Sequence, residues 1–332
     1  MLMGDFIERF YITADGSNPW LVGINPTSDD WGRLYESFVR VSGGRFCVDT
    51  DVCNWDGHLT LAMALFFGYV VNACYCKPGC LCRDCLARIN FIIMLWSAPM
   101  AAGAFTFQKY RGNPSGSPVT SPQNTICHMG KAYLIYRRIL RLAIQGILRA
   151  KPELLHLTEW RPETLASQMS YIQYLKNCTE VFYGDDAARS IEQNLIPWYN
   201  GETIQAIYSW VGMASTTAAK TTEMHAYMNI SEIQILKRNF RVEEDIVWAP
   251  LQKSVLYDMM AWVRAQNYIE GIDQLHINFY TALREAVQHG EKFYNDFQNY
   301  FLRLAERKGL NFKFISFQDV LVMMENHYVV LA

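Results

Sequence analysis

Asp51 and Asp185, far apart in this 332-residue chain, each lie in a short polar signature that suits phosphate chemistry. The first signature is Asp51-Val52-Cys53-Asn54-Trp55-Asp56 and the second is Tyr183-Gly184-Asp185-Asp186. Between them come Ser115-Gly116, Thr120 and Asn124; after them come Lys220 and Leu236-Lys237-Arg238-Asn239-Phe240. A Gly-Asp-Asp tripeptide alone reads as a solvated turn. The ordered set is harder to reach by accident. Adding a nucleotide to a strand is an in-line displacement at phosphorus, in which two divalent cations clamp the attacking and leaving oxygens. Hard oxygen ligands suit Mg²⁺, so Asp51, Asp185 and Asp186 are the expected ligands of two ions. Carboxylates gathered this closely repel one another, and cations would keep them ionised.

The other residues fit around that reaction. Asp56 lies too far beyond Asp51 to be a second ligand on one strand face. Its expected role is a hydrogen bond near the sugar, where Asn124 and Ser115 can join it in reading a ribose 2′-hydroxyl. Gly116 lets backbone approach substrate and gives the loop freedom. Lys220 can protonate a leaving pyrophosphate, although its spacing alone marks only a surface lysine. Lys237, Arg238 and Arg241 can hold the phosphates of a primer strand. Arg137, Arg138 and Arg141 fit a solvated helix face equally well.

Such residues need a frame. Phe46 to Val52 is β-prone and should carry Asp51 near a strand end. Glu180 to Ser190 reads as two strands joined by a tight Gly184-Asp185 turn, which puts carboxylates at a hairpin tip. A helix is expected from Thr120 to about Arg149, with Pro122 tolerated in its first turn. Beyond Glu243 the apolar spacing, as at Val255, Met259 and Trp262, is helical. With 51% hydrophobic and 19% charged residues the chain has a globular balance, and its net charge of -2 gives no global nucleic-acid signal.

Leu59 to Cys76 carries no charge and is long enough to span a bilayer, but its place directly after Asp56 favours a buried helix, and no membrane span is expected. Leu86 to Phe107 is interrupted by Arg88, Asn90 and Pro99. The nine cysteines, with no cleavable signal sequence, fit free thiols in a reducing compartment. Five of them, Cys74, Cys76, Cys80, Cys82 and Cys85, crowd one segment. Cys74, Cys76, Cys82 and Cys85 are the candidate Zn²⁺ ligands, since Cys82-x-x-Cys85 has a common ligand spacing; free loop thiols are the ordinary alternative.

The ordered signatures resemble the RNA-dependent RNA polymerases of picornavirus-like positive-strand RNA viruses, from about Val22 to about Trp262. Asp51 to Asp56 resembles motif A. Gly112-Asn113-Pro114-Ser115-Gly116 with Thr120 and Asn124 resembles motif B. Tyr183 to Asp186 resembles motif C, Lys220 the motif D lysine, and Leu236 to Phe240 motif E, while Trp248-Ala249-Pro250-Leu251 looks like the start of a thumb. The resemblance implies an α+β right-hand fold: a palm of antiparallel sheet with packed helices, plus a helical thumb. It also implies templated RNA synthesis from NTPs on a template and primer with Mg²⁺ or Mn²⁺, Thr120 joining the nucleotide-binding residues. A protein-linked primer and replication complexes in the host cytoplasm are usual in such relatives.

On that pattern, 1–45 would end the fingers and enter the palm, and 46–96 would be palm with motif A and the cysteine-rich insertion. Residues 97–114 would form a fingers-type loop, 115–243 palm with motifs B to E, and 244–332 the thumb. Most of the fingers is absent, so the chain is expected to be a fragment of a larger polyprotein and weak or inactive alone. Lys151 to Cys178 is longer than the pattern requires. A reverse transcriptase is the nearest enzymatic rival, against which Asp56, Asn124 and Gly184 argue; a fragment that only binds RNA or partner proteins is the non-enzymatic one.

Overall fold

The computed structural model describes residues 3–108, 111–114, 116–243, 245–264 and 268–328; Ser115 lies outside them. Two compact units form, one of Met1–Ile24 with Arg33–Leu236 and one of Asn25–Gly32 with Lys237–Ala332.

In chain order the first helices are α1 (Gly4–Ile12) and α2 (Asp29–Ser42), followed by strand β1 (Cys47–Val52), whose six residues are all buried. Asn54, at φ 50°, turns the chain out of β1 into the one-turn helix α3 (Trp55–His58). Thr60 then caps α4 (Leu61–Tyr75), its Oγ1 accepting the Met63 N–H. At 15 residues α4 covers about 22 Å, short of a roughly 30 Å hydrocarbon core. Among the described residues no helix is long and apolar enough to cross a membrane. Helix α5 (Arg83–Trp96) folds back on α4, and Ile89 Cδ1 packs against Gly68, where a Cβ would lie 2.7 Å from it. A small hairpin, β2 (Pro99–Ala102) with β3 (Phe105–Gln108), follows.

The long helix α6 (Thr120–Ile144) carries Pro122 in its first turn, where a missing N–H costs nothing. It stops short of Arg149 because Gly146, at φ 69°, ends it. There the Ile147 N–H bonds the Leu142 carbonyl and the Gly146 N–H the Ala143 carbonyl, the Schellman pattern. The following stretch, whose length the sequence leaves unexplained, makes two 3₁₀ segments (Pro152–Leu157, Pro162–Gln168) and α7 (Tyr171–Asn177). It packs on α6: Leu154 and Leu165 are buried, and the Tyr136 and Tyr133 hydroxyls donate to the Gln168 and Met169 carbonyls.

Strands β4 (Cys178–Tyr183) and β5 (Asp186–Ile191) form the expected hairpin with a two-residue Gly184-Asp185 tip. Asn200 and Thr203 build a reciprocal cap for α8 (Gly201–Trp210), and β6 (Ser215–Thr216) completes an antiparallel sheet ordered β4-β5-β1-β6. One apolar core, including Phe67, Trp55, Tyr136, Ile139 and Tyr208, joins this sheet to α4, α6 and α8. This is the sheet-and-helix half of the expected α+β architecture.

The second unit holds a short hairpin, β7 (Arg241–Glu243) with β8 (Ile246–Trp248), and the helices α9 (Lys253–Ala261), α10 (Tyr268–Ala286), α11 (Glu291–Arg307) and α12 (Phe317–Tyr328). Its core gathers Leu256, Phe279, Leu283, Tyr294, Phe297 and Val320. The contacts divide the chain at Leu236, ahead of the expected boundary at 243. Hydrogen bonds explain the difference: Arg238 reaches Glu285 on α10, and Arg241 reaches the Gln288 carbonyl just beyond it.

Candidate active site

Register brings the two distant signatures together. Antiparallel pairing of β1 with β5 sets Asp51 directly opposite Asp186, and β4 is joined to β5 through Asp185. Asp51 and Asp186 share one face because directly opposed residues always do. Gly184, at φ 64°, takes the first central position of the tip, where an L side chain would be strained. Carboxylate oxygens of Asp51, Asp185 and Asp186 thus lie within 4.8 Å of one another.

Electrostatics fit a cation site. Burial, then the neighbouring Asp185 and Asp51 carboxylates, push the Asp186 carboxyl up to about 7. Burial and Asp51 raise Asp185 as well. A cluster whose members resist shared ionisation is stabilised by divalent positive charge, and three oxygen donors match Mg²⁺ or Mn²⁺ in kind. Lys220 supplies the facing positive group. It projects at φ 63° from a turn in which its own N–H bonds the Thr217 carbonyl, and its ammonium pairs with Asp51. Burial alone would lower the Lys220 pKa, but the bond to Asp51 and the charges of Asp51, Asp186 and Asp185 outweigh this and raise it.

Beside this cluster, Asn124 on α6 donates to Asp56 Oδ1 at 2.5 Å, and Asn113 donates to Asn124 Oδ1 at 2.9 Å. The chain at Gly112 and Asn113 is tied to α3 and its exit: Asn113 N–H bonds the Asp56 carbonyl and Gly112 N–H the Leu59 carbonyl. Gly112, at φ 86°, is needed because a Cβ would sit 3.2 Å from that Asp56 carbonyl oxygen. Thr120 Oγ1 donates to the Pro114 carbonyl at 2.7 Å, bracing the loop before α6. Gly116 takes φ 85° in open space, so conformation, not crowding, requires glycine there.

In the second unit, Arg238 has its fork filled: both terminal nitrogens bond Glu285, at 2.7 and 2.9 Å, and one also bonds the Ala249 carbonyl. Lys237 is exposed at φ 58°, next to Leu236 at φ 55°. Of the cysteine ligand set, Cys76, Cys82 and Cys85 cluster, but Cys80 completes the group and Cys74 does not. Cys74 turns its thiol back to the Val70 carbonyl of its own helix.

Three positioning residues were missed by the sequence reading. Asp49, two residues before Asp51 and so on the same strand face, accepts the Ala218 N–H at 3.1 Å and the Gln234 N–H at 2.8 Å, anchoring the turn that carries Lys220 and the chain at Gln234. Strand alternation was an available signal. Thr125 and His128 on α6 grip the hairpin tip: Thr125 Oγ1 accepts the Gly184 N–H at 3.0 Å, and His128 Nδ1 bonds the Gly184 carbonyl at 2.9 Å. His128 Nε2 meets the Tyr208 hydroxyl, and its ring packs on Trp55 and Phe182.

Burial depresses His128 from about 6.5 to about 3, so the folded protein holds it neutral, with Nδ1 the donor to Gly184. Below about pH 6.5 the unfolded chain binds this proton and the folded chain does not. Stability is therefore complete above 6.5 and drains as pH falls toward 3. Between pH 7 and pH 5 the native protein should lose about 2 kcal/mol more than a His128→Gln variant. Urea denaturation of both proteins at both pH values checks this, and parallel losses would contradict it.

A hairpin of carboxylates on an antiparallel sheet, backed by a long helix and faced by a lysine, is the palm arrangement of nucleic acid polymerases. The family profile for viral RNA-dependent RNA polymerase matches residues 1–306. The chain belongs to the viral RNA-dependent RNA polymerase family. It is 27% identical over 289 residues to the replicase polyprotein of Cricket paralysis virus, covering 83% of this chain and 15% of that protein. It is 28% identical over 282 residues to the genome polyprotein of Rice tungro spherical virus, covering 83% of this chain and 7% of that one. Among solved structures, the Sicinivirus 3Dpol RNA dependent RNA polymerase matches with a TM-score of 0.72 at 16% identity, over 99% of this chain and 60% of that one. The chain thus spans a small part of the polyproteins it matches.

Proposed function

We propose that this chain forms the palm and thumb of a polymerase that copies RNA by nucleotidyl transfer from NTPs to an RNA 3′ end. The observation that carries this reading is the convergence of Asp51, Asp185 and Asp186 within 4.8 Å. These three would hold Mg²⁺ or Mn²⁺, which when bound neutralises charge developing on the phosphoryl oxygens. Palm would run to the end of the Lys220 and Phe240 segments, with thumb in the helices after Glu243.

Asp51 and Asp186, fixed opposite each other by sheet register, set where a triphosphate can sit. Lys220, kept protonated, is placed to donate to a leaving pyrophosphate. Asp56, held by Asn124 and through it by Asn113, presents an acceptor for a ribose hydroxyl. Gly116 belongs to the loop before α6, braced by the Thr120 bond to Pro114, and Ser115 would join Asp56 in reading the sugar. Lys237 offers a cation to the primer backbone, whereas Arg238 contributes by fixing its segment to Glu285. The template, the primer, a protein-linked primer and the remainder of the polyprotein are its partners, in replication complexes of the infected cell's cytoplasm. The relatives' names, replicase and genome polyprotein, support that setting.

Primed-template extension with NTPs and dNTPs offered separately tests the proposal in the full-length polymerase. Preferential dNTP use, or no incorporation, would overturn it. Asp56→Ala should narrow the preference for NTPs by roughly ten- to a hundredfold, the worth of a hydrogen bond to a charged group at about 1.5–3 kcal/mol. Unchanged selectivity would remove Asp56 from the sugar.

A further inference from the structure

Among the described residues, the polymerase reaction leaves unused a cluster of four cysteines at the turn between α4 and α5. Cys76 closes α4 at its C-cap, Cys82 is the N-cap of α5, Cys85 lies in the first turn of α5, and Cys80 is in the loop between. Their Sγ atoms all lie within 4.8 Å of one another, and Cys76 and Cys82 are 4.0 Å apart. All four thiols are free. A tetrahedron of sulfurs about 2.3 Å from a central Zn²⁺ has edges of about 3.8 Å. The cluster therefore already has the size of a tetrathiolate site, whereas a disulfide would draw two sulfurs to about 2.0 Å and leave the other pair behind.

The loop gives a second reason. Lys77, Pro78, Gly79 and Leu81 are exposed, so the turn buries almost nothing to hold its own shape. Gly79 adopts φ 79°, and the Cys80 N–H bonds the Lys77 carbonyl, a tight turn that brings Cys80 back toward Cys76. Apolar burial contributes little to this turn, and a metal cross-link would supply what it lacks. Charge is provided for as well. Zn²⁺ displaces four thiol protons and leaves a site of net charge -2, while Lys77 and Arg83 adjoin two ligands in sequence and Arg88 Nη1 lies 3.8 Å from Cys85 Sγ. Arg88 is in turn steadied by Asn72 Oδ1 at 3.1 Å and stands over the Tyr75 ring, and Asn72 bonds the Cys85 carbonyl. Such outer contacts orient metal ligands.

We propose that Cys76, Cys80, Cys82 and Cys85 form a closed tetrahedral Zn²⁺ site that clamps the end of α4 to the start of α5. Four sulfur ligands leave no open position, so the site is structural. It is separate from the carboxylate cluster in residues and in ligand chemistry.

Metal analysis of the 332-residue chain, purified under reducing conditions with zinc present and then desalted, should find about one zinc per chain. Replacing zinc by Co²⁺ should give the intense visible bands of a tetrahedral tetrathiolate. Cys80→Ser should lose bound zinc, and Cys74→Ser should keep it. Should the serine variant fail to fold, the cobalt spectrum of the unaltered chain still decides the case. A chain with all thiols reduced and no bound zinc would overturn the proposal. So would a cobalt spectrum without thiolate charge transfer, a Cys80→Ser protein that keeps its zinc, or a disulfide found between any two of the four.

Discussion

Asp185→Asn in the full-length polymerase is expected to reduce RNA synthesis by about 10³-fold or more, on the order of 4 kcal/mol of transition-state stabilisation. The change is nearly isosteric, so the Gly184-Asp185 tip, the Thr125 and His128 bonds to Gly184 and the β4–β5 register all survive it. What it removes is one negative charge from a group of three carboxylates. Burial and mutual repulsion already raise the pKa values of Asp185 and Asp186, so without cations the wild-type cluster costs stability at neutral pH. The variant's melting temperature in metal-free buffer should therefore hold or rise. Adding Mn²⁺ should stabilise the wild-type chain and stabilise the variant less, because ligand binding to the folded state alone raises stability. Lost synthesis with a retained fold and a weakened Mn²⁺ response would tie Asp185 to the cation. Retained synthesis would remove it from the site, and a lowered melting temperature in metal-free buffer would assign it a structural role.

The parts of this fold visible in the sequence were those set by local rules. The Gly184-Asp185 turn between two short strands announced the β4–β5 hairpin, and Pro122 is compatible with a helix that starts at Thr120. Gly146 carried the signal for the end of α6, but the apolar pattern running on to Leu148 hid it; only the Schellman bonds reveal the stop. Convergence of Asp51 with Asp185 was inferred from the order of signatures, and sheet register supplies the physical cause. Choices made by tertiary contact were not legible. The sequence reading took Cys74 rather than Cys80 as a thiol ligand, yet a helical thiol that bonds its own Val70 carbonyl points away from a turn that folds Cys80 inward. Arg238 read as a nucleic-acid contact until Glu285, on a helix far along the chain, filled its fork. His128 carried no sequence signal, since its role depends on Gly184 arriving beside α6.

Glu180→Gln should lower stability by about 3–5 kcal/mol, a large part of the 5–15 kcal/mol typical of a folded domain. Glu180 on β4 and Arg189 on β5 are directly paired in register, and their side chains are 2% and 1% exposed. Arg189 Nε lies 3.2 Å from Glu180 Oε2, and its Nη1 donates to Thr50 Oγ1 on β1 at 2.7 Å. Tyr199 donates its hydroxyl to Glu180 Oε1. The pair thus crosses three strands on the sheet face opposite Asp51 and Asp186. Burial acts to discharge Arg189, but Glu180 together with the hydroxyls of Tyr199, Tyr208 and Tyr174 outweighs it, and a guanidinium has no accessible neutral form. Once the carboxylate is gone, the cation stays charged in the core with only neutral partners. That uncompensated charge, more than a lost attraction, sets the size of the effect. Thermal denaturation should show a fall of about 10 °C. Salt should leave the difference nearly unchanged, because buried charges are poorly screened. A double variant, Glu180→Leu with Arg189→Met, should recover most of the loss by removing both charges at similar volume. A single-variant loss under about 1 kcal/mol would mean that water or another group compensates Arg189, and the pair would then not hold the strand that carries Asp186.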